Sequence, residues 1–246
     1  MKAALLLVAA CSGQPHEQHP VTRNDARGPS DAAPIGDGPS AKTGDVQVRV
    51  ELPDVSVAAR ASPGRTPCNT PRTPAIAPTT TWGIPEALVI VDGAAAAPST
   101  AKLVIADCTL SPRLVVGTAL AITSAADRPV KLVLTKRGTL DHLEPGEPVA
   151  ILVPIAGHTV TAQLDANAVY SLATDAKDPE VAWIATVPNA VVTDEKGQAM
   201  VRDLASGPHA ITAWYPPRGT EPALRGVGSA TAAGGELVEV TVTLKK

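Results

Sequence analysis

Phenylalanine is absent from the 246 residues, and only two Tyr and three Trp stand in for it. The chain is long enough to bury a proper core, as one large domain or two small ones. That core must be built from Val, Ile, Leu and Ala. The same scarcity argues against aromatic platforms that stack sugars or nucleobases. Neither sign of charge dominates, with 21 basic against 24 acidic residues. No basic stripe with interleaved aromatics exists, so a nucleic-acid role has no support. No window of eleven or more residues carries a helical stripe of apolar side chains. Gly-x-Ser-x-Gly, His-Glu-x-x-His and phosphate-cradling glycine loops are also missing.

What is present is punctuation and alternation. The 24 prolines and 19 glycines break the chain into short pieces, as many strands and turns require. Val46, Val48, Val50 and Leu52 alternate with polar residues, the pattern of a strand with one buried face. Further strands are predicted over 87–92, 102–107, 113–122, 130–135, 149–154, 159–164, 169–173, 181–186, 190–193, 199–204, 209–214 and 236–244. Most are rich in β-branched residues and bounded by Gly, Pro, Asp or Asn. Asp194-Glu195-Lys196-Gly197 reads as a tight turn with Gly197 at positive φ, not as a calcium loop. Many short strands at roughly ten-residue spacing mean an all-β sandwich or a Greek-key barrel.

The N-terminus has a different character. Lys2 precedes the apolar stretch Ala3–Ala10, which ends in small residues before Cys11. That is the layout of an export signal, and it falls far short of the about 20 apolar residues a bilayer span needs. Val8-Ala9-Ala10-Cys11 resembles a bacterial lipobox. The resemblance implies cleavage before Cys11 and acylation of its thiol, palmitate included. Ser12 at the next position resembles sorting to the outer membrane. The competing reading is a cytosolic chain with an apolar N-terminus or a misplaced start. Residues 12–43 are polar and rich in Pro, Gly, Ser and Asp, the composition of a disordered tether. His16 and His19 within it read as solvated linker residues rather than metal ligands.

With Cys11 assigned to the anchor, Cys68 and Cys108 remain, an even pair in a compartment that permits disulfides. Bridging them closes a loop of about 40 residues, worth roughly 4 kcal/mol by the chain-entropy argument. It would pin the proline-rich stretch 66–81. The functional alternative, a reactive cysteine or a thiolate metal pair, lacks an activating neighbour in the sequence.

Two segments carry a family resemblance. Leu103-Val104-Ile105-Ala106-Asp107-Cys108-Thr109-Leu110-Ser111-Pro112-Arg113, with Ala126-Asp127-Arg128-Pro129-Val130-Lys131-Leu132, resembles the cupredoxin-like, methylamine-utilisation-protein-like domains of exported bacterial proteins. Residues 170–183 and the following Thr193-Asp194-Glu195-Lys196-Gly197 turn resemble a later part of the same family. That last portion is also similar to carboxypeptidase-regulatory-like β-sandwich modules. The resemblance implies a copper site of two histidines, a cysteine and a methionine. In this chain those positions fall on Lys131 and Lys177 for the histidines, Thr174 for the cysteine and Glu180 for the methionine. All four ligands are replaced, and protonated ammonium groups repel a cation. No resident metal or other cofactor is expected.

The resulting division is a signal peptide over 1–10, a lipidated tether over 11–44 and a cupredoxin-like Greek-key β-sandwich over 45–181. Residues 182–246 either complete that sandwich or form a small carboxypeptidase-regulatory-like lobe. The expected function is a non-catalytic binding or structural lipoprotein of the periplasm or cell surface, with an unidentified protein or envelope partner. Loop 136–148 and segment 175–179 are expected at the end where the family holds copper, and so are the favoured contact surfaces. Trp183 reads as core, and Trp214-Tyr215-Pro216-Pro217 as an exposed binding patch. His142, His158 and His209 read as surface or turn residues, not catalytic ones. Two alternatives stand beside this: a copper carrier using non-family ligands such as His142 and His158, and a hydrolase with a spatially assembled triad.

Overall fold

In the computed structural model the described residues are 42–52, 83–106, 108–176, 179–219 and 221–245. They contain strands and no helix, so the chain is all-β. Two sandwiches share one chain, the second inserted into the first.

The first sandwich begins with β1 (Thr43–Glu51), where the period-two pattern places Val46, Val48 and Val50 fully inside. β1 is the middle strand of a three-stranded sheet. It runs antiparallel to β13 (Gln198–Ala205) and parallel to β16 (Leu237–Thr243). A four-stranded sheet faces it, in the order β12 (Ala190–Val192), β2 (Leu88–Val91), β14 (Gly207–Tyr215) and β15 (Leu224–Ala232). Val46, Val48, Val50, Val89, Ile211 and Val201 form part of the core between them.

The inserted sandwich occupies the chain between β2 and β12. One sheet holds β4 (Thr109–Ser111), β3 (Thr100–Ala106), β6 (Ala119–Ser124) and β9 (Thr159–Gln163) in that order. The other runs β5 (Leu114–Val116), β11 (Val181–Ala185), β10 (Val169–Thr174), β7 (Val130–Lys136) and β8 (Pro148–Val153). Leu103, Ile105, Leu120, Ile122, Leu132, Leu172 and Ile184 fill the space between them. Tyr170 closes one end, its hydroxyl accepting the Asp165 N–H at 2.9 Å, in the manner of the tyrosine corners of Greek-key sandwiches.

A third core joins the two sandwiches. The outward side chains of β11, β5 and β10 (Trp183, Ala185, Leu114, Val116, Val169) meet Leu88, Ala190 and Trp214 of the four-stranded sheet. Trp183 and Trp214 cross edge to face, with ring centroids 6.1 Å apart and planes at 79°. Each large side chain buried here contributes roughly 1.5–3 kcal/mol, and the ring pair about 0.5–1.5 kcal/mol more. Trp214-Tyr215 is therefore not the exposed patch expected from its proline neighbours. Trp214 is 1 % and Tyr215 4 % exposed, because β14 is an interior strand with a core on each face.

Two other expectations change, and one strand, β15, lies outside the expected set. The division at 181/182 moves, since β11 pairs with β10 and β5 inside the inserted sandwich. β1 pairs instead with the C-terminal strands. Residues 190–243, with β1 and β2, thus build their own sandwich. The single strand expected over 113–122 is two strands in different sheets. The chain turns at Gly117, where any Cβ would collide with the backbone of Ala101. β15 lacks the β-branched density that marks the others because it carries Gly226 and Gly228. A side chain at Gly226 would run into Thr243 O and Val242 of the crossing strand β16.

Candidate functional site

Of the positions that the resemblance assigns to copper ligands, the three described ones, Lys131, Thr174 and Glu180, lie at one end of the five-stranded sheet. Thr174 pairs with Leu132, and the next residue, Asp175, donates its N–H to Lys131 O at 3.2 Å. The side chains nevertheless diverge, because period two sends Lys131 outward and Thr174 inward. Lys131 Nζ lies 2.9 Å from Asp175 Oδ2, with both side chains more than half exposed. Thr174 is buried, and its Oγ1 accepts the Glu180 N–H at 2.9 Å. Glu180 is only 3 % exposed, and its Oε1 sits 3.1 Å from Arg113 Nε. Lys177 lies outside the described residues, as do Cys11, Cys68, His16 and His19. Cys108 is disulfide-bonded.

Loop 136–148 and Asp175, where segment 175–179 begins, do not share an end. Tyr170 pairs with Lys136 and Thr174 with Leu132, so the loop leaves β7 at one end and Asp175 sits beside the other. The antiparallel register separates them by the length of the strand, on the order of 20 Å at about 3.4 Å per residue. The same geometry parts His142, in that loop, from His158, which follows the far end of β8. The two histidines cannot share a metal ion. His142 Nε2 faces Glu144 Oε1 at 3.1 Å. His209 acts as a staple: its ring nitrogens lie 2.6 Å from Asp92 O and 2.7 Å from Ala205 O. The loop itself folds as a clasp. Glu144 N–H donates to Arg137 O and Thr139 N–H to His142 O. Leu140 and Leu143 pack onto the joining core, and Asp141 pairs with Arg225 of β15 in the other sandwich.

The densest charged arrangement lies elsewhere, where β2, β5, β11 and the end of β14 meet. Glu86 sits in the turn before β2 with φ of 55°, a left-handed conformation that residues with a Cβ avoid. Its Oε1 accepts the Arg113 N–H at 2.8 Å. Arg113 in turn holds Glu180, which links the two sandwiches through one side chain and one N–H. Behind them the Arg218 guanidinium lies 4.5 Å from the centroid of the Tyr215 ring. Burial pushes the Tyr215 phenol up to about 12, with Arg218 opposing and Glu86 assisting. Burial also lowers Arg218 from its ordinary value. The Tyr215 hydroxyl is buried and has no hydrogen-bond partner.

Sequence reasoning missed this cluster. Its members are spread over more than 130 positions, and none forms a motif. Pro85-Glu86 alone carried a local signal, being a turn whose second position favours Gly or Asn. Among the described residues no group of three His, Cys, Asp or Glu is arranged to hold a metal. No family model, curated protein or solved structure matches the chain.

Proposed function

We propose that this chain is a non-catalytic binding or structural lipoprotein, anchored through acylated Cys11 and displayed in the periplasm or at the cell surface, at the outer membrane. Its inserted sandwich reads as a cupredoxin-like Greek key that has given up copper. One observation carries this reading: at the described ligand positions the side chains are already committed. Lys131 is paired with Asp175 on the outer face, Thr174 with backbone, and Glu180 with Arg113 inside. A copper ion would have to displace an ion pair whose carboxylate is buried, and removing one partner of a fully buried pair costs at most roughly 3–5 kcal/mol. The tyrosine corner at Tyr170 supports the Greek-key assignment, and a Cys68–Cys108 bridge is the pairing proposed for Cys108. Recognition then falls to loops and sheet faces, with a protein or envelope component as partner.

Copper titration of the full chain, followed by absorbance and calorimetry, tests the loss of the site. No stoichiometric binding is expected; a tight one-to-one complex would overturn the reading. Labelling with palmitate in a bacterial host tests the anchor. Incorporation that vanishes in Cys11→Ser supports it, and label retained by that variant refutes it.

A further inference from the structure

We propose that Arg218 and the Tyr215 hydroxyl together form a binding site for a carboxylate monoanion at the end of β14. The inference rests on reading the domain as a binding module and gives that module a ligand class.

Three observations carry it. The guanidinium of Arg218 stacks on the Tyr215 ring at 4.5 Å, and among the described residues no carboxylate lies within ion-pair distance of it. Only the carboxylates of Glu86 and Glu221, beyond ion-pair reach, act on this half-buried guanidinium, and a partly desolvated cation with no directly paired anion is under-compensated. Arg113 is spent on Glu180 and only repels Arg218. Second, the Tyr215 hydroxyl is buried and unpartnered beside this cation, although buried phenols ordinarily find a partner. It is a free donor in a dry place. Third, the arginine is presented from a constrained loop. Pro216 and Pro217 precede it, and Arg218 and Glu221 exchange backbone hydrogen bonds of 3.0 and 3.3 Å around Gly219, whose φ is 58°. A fork held in one orientation loses little freedom when it closes on a planar anion.

The surrounding charge selects among anions. Glu86 and Glu221 both act on the Tyr215 phenol, and their fields penalise a phosphate dianion more than a carboxylate. The planar carboxylate also matches the guanidinium fork bidentately.

The test uses the full chain with arginine side chains labelled for NMR, titrated with sodium acetate against a sodium chloride control. A saturable shift of the Arg218 Nε–H signal is expected with acetate, and a weaker one with inorganic phosphate. Arg218→Gln should weaken acetate binding, followed through neighbouring backbone amides, at least tenfold. Arg218→Lys, which keeps the charge but not the fork, should fail to restore it. Tyr215→Phe should weaken binding several-fold while tryptophan fluorescence reports an intact seam. A short peptide with a free C-terminus, compared with its amidated form, distinguishes the source. A tighter free-acid peptide identifies a chain-terminal carboxylate as the ligand, and parity with acetate identifies a small acid. The proposal is overturned by no saturable shift, by equal binding in Arg218→Gln, or by phosphate binding more tightly than acetate. Such a failure leaves the copper and palmitate tests untouched, so the two readings fall separately.

Discussion

Glu86 offers a prediction whose sign differs from ordinary expectation. The residue combines two opposed contributions. Its φ of 55° costs a side-chain-bearing residue about 1 kcal/mol relative to glycine. Its carboxylate accepts the Arg113 N–H at 2.8 Å, a charge-assisted bond in a part-buried place worth about 2 kcal/mol. Glu86→Gly relieves the first and loses the second, for a net loss of about 1 kcal/mol. Glu86→Ala keeps the strain and loses the bond, for about 2 kcal/mol. Glu86→Gln keeps an acceptor without the charge and should lose less than either. The expected order is wild type, then Gln, Gly and Ala, with glycine above alanine by about 1 kcal/mol. Urea unfolding followed by tryptophan fluorescence measures it, since Trp183 and Trp214 lie at the joining core that Arg113 helps to hold. Alanine equal to or more stable than glycine would show that the left-handed turn carries no strain. Glycine more stable than wild type would show that the Arg113 bond contributes nothing.

Two further outcomes follow from buried polar groups of the first sandwich. Tyr215→Phe removes a buried hydroxyl that has no partner, so at neutral pH the variant should match or exceed wild-type stability. The folded phenol is raised to about 12 from about 10 unfolded. The fold therefore favours the neutral form, a stabilisation present below pH 10 and lost as pH rises through 12. Its full size is on the order of 2–3 kcal/mol. The alkaline decline of wild type should exceed that of the variant by this amount in parallel urea series; parallel curves would refute it. Thr193→Val deletes an Oγ1 that accepts the Ala87 N–H at 2.9 Å and donates to Ile84 O at 2.8 Å. Leaving both backbone groups buried and unpaired should cost about 2–4 kcal/mol, and a change under 1 kcal/mol in the same assay would contradict it.

The strands were largely legible because alternation is a local property. Val46, Val48 and Val50, or 237–243, announce a buried face without reference to anything distant. Where the reading missed, a distant backbone had set the choice. The glycines of β15 look like weak strand formers until β16 is seen crossing Gly226. The chain bends at Gly117 because Ala101 lies against it. The candidate site was the least legible. Thr139-Leu140-Asp141-His142-Leu143 looked like a free loop, yet its two leucines face the joining core and Asp141 reaches Arg225.

By itself the sequence determined that the described residues form β-strands around an aliphatic core. Those conclusions depend on residue type and on neighbours two positions apart. Only the tertiary structure decided that one sandwich interrupts another, that Trp214 is interior, and that Glu86, Arg113, Glu180, Tyr215 and Arg218 form one cluster. Pairing partners and the faces that sheets bury are set by contacts between residues far apart in the chain, and no local pattern encodes them.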